Sequence, residues 1–342
     1  MFSYFAALNQ YPVFVIRFFV FLSFVFLFPV WTDAYTKERT KIVRKVVVSV
    51  ERPVKPDVGI YFPATGVAHI SHLEIPKTSV NDHIITHAGY SLLYNEHHEQ
   101  ASWVAYELTR GNTVKHFGRS DKFIEDPSIK TGSASSSDYL RSGYDRGHMA
   151  PAADMSYSSA TMAESFYYSN MSPQVPGFNR GIWKNLEGLI RTWAIEDEEV
   201  YVVTGPVLTT GLPTIGFDKV SVPKYYYKVI LDYTEPGIKG IGFILPNATS
   251  NLPLENFAVS IDSVEAVTGI DFFPLLPKVQ QRIIEKTLSV SSWSWNSTNT
   301  AARKATKVVK ATVDGRGQIF TGPRGGQYYY SKSGRKVYVK RR

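Results

Sequence analysis

Not one cysteine occurs in the 342 residues of this chain, and that absence narrows the ways in which it can fold. Disulfides, cysteine-ligated zinc and thiol nucleophiles are excluded in one step, so a folded state has to be held by buried apolar surface. The means are there: 44% of the residues are hydrophobic and 14% aromatic. That is ample for a globular core in one large domain with an appendage, or in two domains. Compartment stays open, because an oxidising environment permits disulfides without requiring them.

The middle of the chain carries most of the periodic signal. Tyr90–Tyr94 and Ser102–Leu108 read as strands joined through Asn95-Glu96-His97-His98-Glu99-Gln100. Two His and two Glu in that connector raise the question of a metal, but adjacent side chains on a turn seldom converge, and a polar hairpin loop accounts for them. His69, His72, His83, His87 and His116 are read as surface or core residues. Glu199–Pro206, Pro223–Asp232 and Ile241–Pro246 are further apolar strands. Ala160–Tyr168 reads as a short helix, and Pro173 and Pro176 force a loop after it. Arg180–Ala194 is a helix by the spacing of Ile182, Trp183, Leu186, Leu189, Ile190 and Trp193. Asn179 stands where its N-cap would be. Arg119–Pro127 and Ser133–Asp138 have the composition of a flexible surface loop.

Charge divides the chain. From Arg303 onward there are twelve Lys and Arg against Asp314 alone, which leaves 26 of the 38 basic and 29 of the 30 acidic side chains to the first 302 residues. The tail supplies the basicity, and a polyanion is the natural partner for it, with a merely solubilising tail as the plain alternative. At the other end, Pro12–Trp31 is almost continuously apolar, broken mainly by Arg17, Ser23 and Pro29. Residues 1–34 therefore read as a secretory signal, with Thr32-Asp33-Ala34 as exit, or as a retained membrane anchor. Lys37, Arg39, Lys41, Arg44 and Lys45 would hold the rest of an anchored protein on the cytoplasmic side, so the two readings place it on opposite faces. Residues 35–84 form an extension of weak pattern, in which Val46–Val50 could be a strand.

The chemistry concentrates in Tyr144-Asp145-Arg146-Gly147-His148-Met149-Ala150-Pro151. An imidazole beside a guanidinium, at a strand end opened by Gly147, suits attack on a phosphate: one group takes a proton and the other faces negative charge. His148 is the candidate general base. With Ser169-Asn170-Met171-Ser172-Pro173-Gln174, then Asn179, Trp183 and Glu187, these words resemble the DNA/RNA non-specific endonuclease family over roughly His87 to Pro277. The resemblance implies an α+β fold, a mixed antiparallel sheet with helices and a ββα-metal finger made by the His148 strand, its partner and the Asn179 helix. It implies Asn179 as the ligand of Mg²⁺, with Mn²⁺ also accommodated, Glu187 near the same helical face orienting metal-bound water, and Asn170 bonding to the phosphate or that water. It also implies an arginine supporting the phosphate, best matched by Arg119 with Arg141 as its substitute, and DNA and RNA cut to 5′-phosphate ends. Relatives often form homodimers. Asn170-Met171-Ser172 also fits a glycosylation sequon, but Asn247 and Asn296 are better surface candidates if the chain is secreted.

Ser289 to Thr300 turns to Ser, Thr, Asn and Trp, a linker composition, and Gly315 to Lys340 places three short aromatic strands between Gly-rich turns and cations. That segment resembles the basic adaptor module of chlorella-virus proteins, which implies a viral protein, virion-associated or in an infected cell, tethered to a polyanion. The expected division is thus 1–34 signal or anchor, 35–84 extension, 85–288 nuclease domain, 289–312 linker and 313–342 adaptor. Two rivals stay open. One is a nucleic-acid-packaging virion protein with an idle nuclease-like body; the other hydrolyses some different phosphodiester.

Overall fold

Strands that are apolar on both faces need cover on both sides, and the order of elements provides it. The computed structural model describes residues 62–63 and 68–295 except Pro236, together with residues 307–308, 320–321, 327–330 and 336–338. The signal or anchor, the Val46–Val50 strand and most of the proposed linker lie outside the described residues. In chain order the elements are β1 (Phe62–Pro63), β2 (Ile84–Thr86), β3 (Ser91–Asn95), β4 (Gln100–Thr109), α1 (Ser136–Tyr139), β5 (Asp145–His148), α2 (Ser159–Glu164), β6 (Met171–Gln174) and α3 (Lys184–Glu196). Then come β7 (Glu199–Pro206), β8 (Thr214–Ile215), β9 (Val220–Ser221), β10 (Tyr225–Asp232), β11 (Gly237–Pro246), β12 (Ala258–Val259), α4 (Ile261–Thr268) and α5 (Lys278–Lys286).

The main sheet runs β1-β11-β10-β7-β4-β3-β2, with β12 added to β11, and its pairings are antiparallel. Successive side chains on β11 point to opposite faces. Gly242 meets Val264 of α4, whereas Phe243 stacks toward Trp193 of α3. The two helical layers therefore cover opposite sides of one sheet, and the active-site finger, β5 paired with β6, lies off that sheet. Ser260 caps α4 through its hydroxyl, and Gly269 ends it in the left-handed conformation, as local sequence requires.

Two expectations are corrected here. The helix read as Arg180–Ala194 begins at Lys184, because residues Phe178–Trp183 form a wider π-type turn with a break at Gly181 (φ −104°, ψ −112°). Asn179 consequently caps nothing. The start of the segment read as a linker belongs to the core: Trp293 packs 4.4 Å from Trp193, Trp295 meets the same ring edge-on, and Trp193 Nε1 donates to Ser294 O at 2.6 Å. Farther on, β13 (Lys307–Val308), β14 (Phe320–Thr321), β15 (Gln327–Tyr330) and β16 (Lys336–Tyr338) form an antiparallel meander, one strand more than the aromatic pattern suggested.

Candidate active site

β5 and β6 pair as Asp145↔Gln174, Arg146↔Pro173, Gly147↔Ser172 and His148↔Met171. Gly147 is required by packing, since a Cβ there would fall inside the Gln174 amide. Replacing it, Gly147→Ala, is expected to displace Gln174 and cost about 1–3 kcal/mol in denaturant unfolding. The finger is bolted to the sheet by Ser172, whose hydroxyl meets Gln100 Oε1 at 2.5 Å and Tyr226 OH at 2.7 Å.

His148 is only 7% exposed and stands edge-on between Phe166, 4.9 Å away, and Phe123, 5.8 Å away. Burial pushes its imidazole down to about 3, and the Arg119 charge adds to this; a backbone hydrogen bond to Arg146 opposes it, and the Arg146 charge lowers it further. Nε2 has no partner. The backbone bond thus belongs to Nδ1, which carries the proton, and the Nε2 lone pair is left free to accept one. Trp183 Nε1 donates to the His148 carbonyl at 3.4 Å.

The two guanidiniums are laid on the same aromatic rings. Arg146 sits 4.2 Å over Phe123, and Arg119, paired with Asp121 at 2.6 Å, sits 4.9 Å over Phe166. Both line an open cleft of about 740 Å³ that also holds Arg141, Arg180, Asp145 and Asn179. Arg119 was expected on a flexible loop, but the loop is anchored. Asp126, buried within it, accepts from Ser169 Oγ at 2.5 Å and meets the His87 ring at 2.9 Å, while Ile124 bridges to Tyr167. His87 thus takes the core role, and the hairpin residue His98 is likewise buried, bonded to Ser221.

Asn179 Nδ2 donates to Asp145 Oδ2 at 2.9 Å, and Arg180 clasps the same carboxylate at 2.8 and 2.6 Å. A carboxylate only accepts, so the amide orientation is fixed and its carbonyl oxygen is the atom left over. That oxygen fits a hard divalent cation whose other positions are filled by water. Glu187 is not two regular turns from Asn179, because Gly181 interrupts the helix. It still belongs to this neighbourhood: the Arg119 charge acts on both Glu187 and His148. Burial pushes its carboxyl up to about 7 against the pull of Lys228, with Asp154 raising it and Arg191 and Arg119 lowering it.

Asn170 is the site residue that the structure moves. It is fully buried; its oxygen accepts from Ala150 N at 2.8 Å, and its nitrogen donates to Ala150 O at 3.0 Å and Ser165 O at 2.8 Å. It braces the chain leaving His148 and does not reach a phosphate. Asn247, the glycosylation candidate, spends its amide on Val175, Pro173 and Pro223 backbone atoms. Sequence reading missed the charged layer beneath the site. Asp154 pairs with Arg191 at 2.6 Å and accepts from Tyr106 OH at 2.9 Å. Lys228, wholly buried, donates to Thr204 Oγ1 at 3.1 Å and lies 4.4 Å over the Trp183 ring. A lone cation inside the apolar run of β10 was the signal available for it.

A neutral imidazole with a free lone pair, facing guanidiniums in a cleft that also carries a carbonyl ligand, defines a site for an enzyme acting on phosphate esters. Comparison with known proteins gives the class its family. The family model for DNA/RNA non-specific endonuclease matches residues 73–279, and that for the PBCV-specific basic adaptor domain matches residues 312–342. Nuclease C1 of Cunninghamella echinulata var. echinulata is 40% identical over 208 residues, 55% of this chain and 81% of that protein. Mitochondrial nuclease EXOG of Danio rerio is 35% identical over 228 residues, covering 62% of this chain and 66% of the relative, so the match spans a little under two thirds of its length. Mitochondrial endonuclease G of Homo sapiens is 36% identical over 202 residues, 54% of this chain and 68% of the relative. A solved structure of EndoG in complex with EndoGI is similar at 34% identity and a TM-score of 0.57, over 60% of this chain and 90% of that one. The chain belongs to the DNA/RNA non-specific endonuclease family, and its C-terminal segment is a basic adaptor module.

Proposed function

We propose that this chain is a divalent-cation-dependent, sugar-non-specific endonuclease that hydrolyses DNA and RNA to 5′-phosphate and 3′-hydroxyl ends, and that its basic tail tethers it to a polyanion. The observation that carries the reading is the unpartnered Nε2 of neutral His148 in the field of Arg119 and Arg146, with Asn179 in the cleft the same arginines line. His148 Nε2 takes the proton of a water attacking phosphorus in line. Arg146 and Arg119 face the equatorial charge as it builds. Asp145 holds the Asn179 amide so that its carbonyl oxygen is presented to a cation. When bound, Mg²⁺ or Mn²⁺ would supply charge stabilisation of the phosphate and of the departing 3′ oxygen. Little base readout is expected, because these groups address the backbone that every sequence shares.

Cleavage of supercoiled plasmid and of RNA tests this. Chelator should abolish both activities and Mg²⁺ should restore them, with product 5′ ends that accept kinase labelling only after dephosphorylation. Undiminished cleavage in chelator would remove the cation from the reaction, and 3′-phosphate products would reverse the polarity.

A further inference from the structure

Phe217 is 90% exposed at the tip of the β8–β9 hairpin, and its mounting distinguishes it from an ordinary surface residue. The preceding Gly216 has φ +67°, and any side chain on it would run into the backbone and carboxylate of Asp138, so the tip is seated directly on α1. Asp138 in turn accepts from Asp218 N at 3.0 Å. At the hairpin's base, Gln100 Nε2 donates to Ser221 O at 2.7 Å, while the oxygen of the same amide accepts from Ser172 of the active-site finger. Val220 is buried in one cluster with Tyr139, Tyr168 and Met171. One network thus fixes both the finger and the hairpin that carries the exposed phenyl ring.

The wall on which the hairpin sits leads into the cleft. Tyr139 and Leu140 line it, and Leu140 is 72% exposed. Arg119, Arg141, Arg146 and Arg180 line the same cleft. Guanidiniums fit phosphates, and an exposed apolar ring on a hairpin seated against the cleft wall fits the one apolar surface that every nucleotide offers, the face of its base. In an intact duplex those faces are covered by neighbouring pairs, and exposing one costs free energy; in a single strand they are open.

We infer that Phe217, with Leu140 on the adjoining wall, is a platform on which an unpaired nucleobase of the bound strand stacks, so that single-stranded DNA or RNA is favoured over intact duplex. The inference rests on the nuclease reading, and its test separates the two. An oligonucleotide carrying 5-iodouracil is irradiated with the full-length His148→Ala chain, and the adduct is located by mass spectrometry. In parallel, kcat/KM is compared for single-stranded and duplex oligonucleotides. The expected results are an adduct on Phe217, and in Phe217→Ala a loss of about tenfold on single strands, carried by KM and smaller on duplex, which Phe217→Trp restores. Absence of a Phe217 adduct, or an unchanged single-strand to duplex ratio in Phe217→Ala, would overturn the platform. If the parent chain cuts neither substrate, the nuclease reading fails, while the adduct still sustains or overturns the platform.

Discussion

The variant His148→Ala is expected to cleave both DNA and RNA between about a hundredfold and ten-thousandfold more slowly than the parent chain, with the loss in kcat. Asn179 is held by Asp145, and the guanidiniums rest on Phe123 and Phe166; neither makes a hydrogen bond or ion pair to the imidazole, and the two rings keep their own contact with each other at 4.9 Å. Substrate and cation binding should therefore survive, and single-turnover rates against KM would separate the two effects. A fall in affinity with kcat preserved would assign His148 to binding. A pH consequence follows from its burial. The unfolded imidazole protonates near its ordinary 6.5 and the folded one at about 3, so between those values the unfolded chain binds the proton and stability falls as pH drops. His148→Ala should lessen that acid sensitivity.

The Asp154→Ala protein is expected to lose about 3–5 kcal/mol of stability in chemical denaturation. Asp154 is 1% exposed and is the carboxylate paired with Arg191 at 2.6 Å and bonded to Tyr106 at 2.9 Å. Deleting it leaves Arg191 and the buried Lys228 with Glu187 as the remaining counter-charge in their shared field, and an unpaired buried cation is costly. Asp154→Asn, which keeps a partner for Tyr106 but not the charge, should fall between the two. A loss below about 1 kcal/mol would mean that the layer under the site is hydrated and contributes little.

The parts of this protein that were legible in its sequence are those in which side-chain type and local spacing suffice. Asp145-Arg146-Gly147-His148 places base, cation and permissive glycine on one four-residue strand, and the apolar runs at Glu199–Pro206 and Tyr225–Asp232 can hardly be anything but covered strands. What escaped depends on backbone geometry or on distant partners. The apolar spacing that marked the helix starts at Ile182, just after Gly181, so periodicity could not reveal the break there. Asn170 has the chemistry to meet a phosphate, but its burial commits it to Ala150 and Ser165 instead. Lys228 was missed although it is a lone charge in an apolar strand, because its counter-charges Glu187 and Asp154 come from other elements that only the fold brings near. Around Trp293 the abundance of Ser and Thr suggested a linker, although two indoles against Trp193 decide where that segment lies.

The central claim is that His148 is kept neutral with Nε2 bare, and nitrogen NMR of its ring measures this directly. Followed from pH 8 to about pH 4.5 in the folded, cation-free protein, Nδ1 should stay protonated and Nε2 unprotonated throughout. Protonation of Nε2 with a midpoint near 6.5 would contradict the account, because the imidazole would then be an ordinary solvated histidine and not a buried base kept neutral beside the arginine-lined cleft.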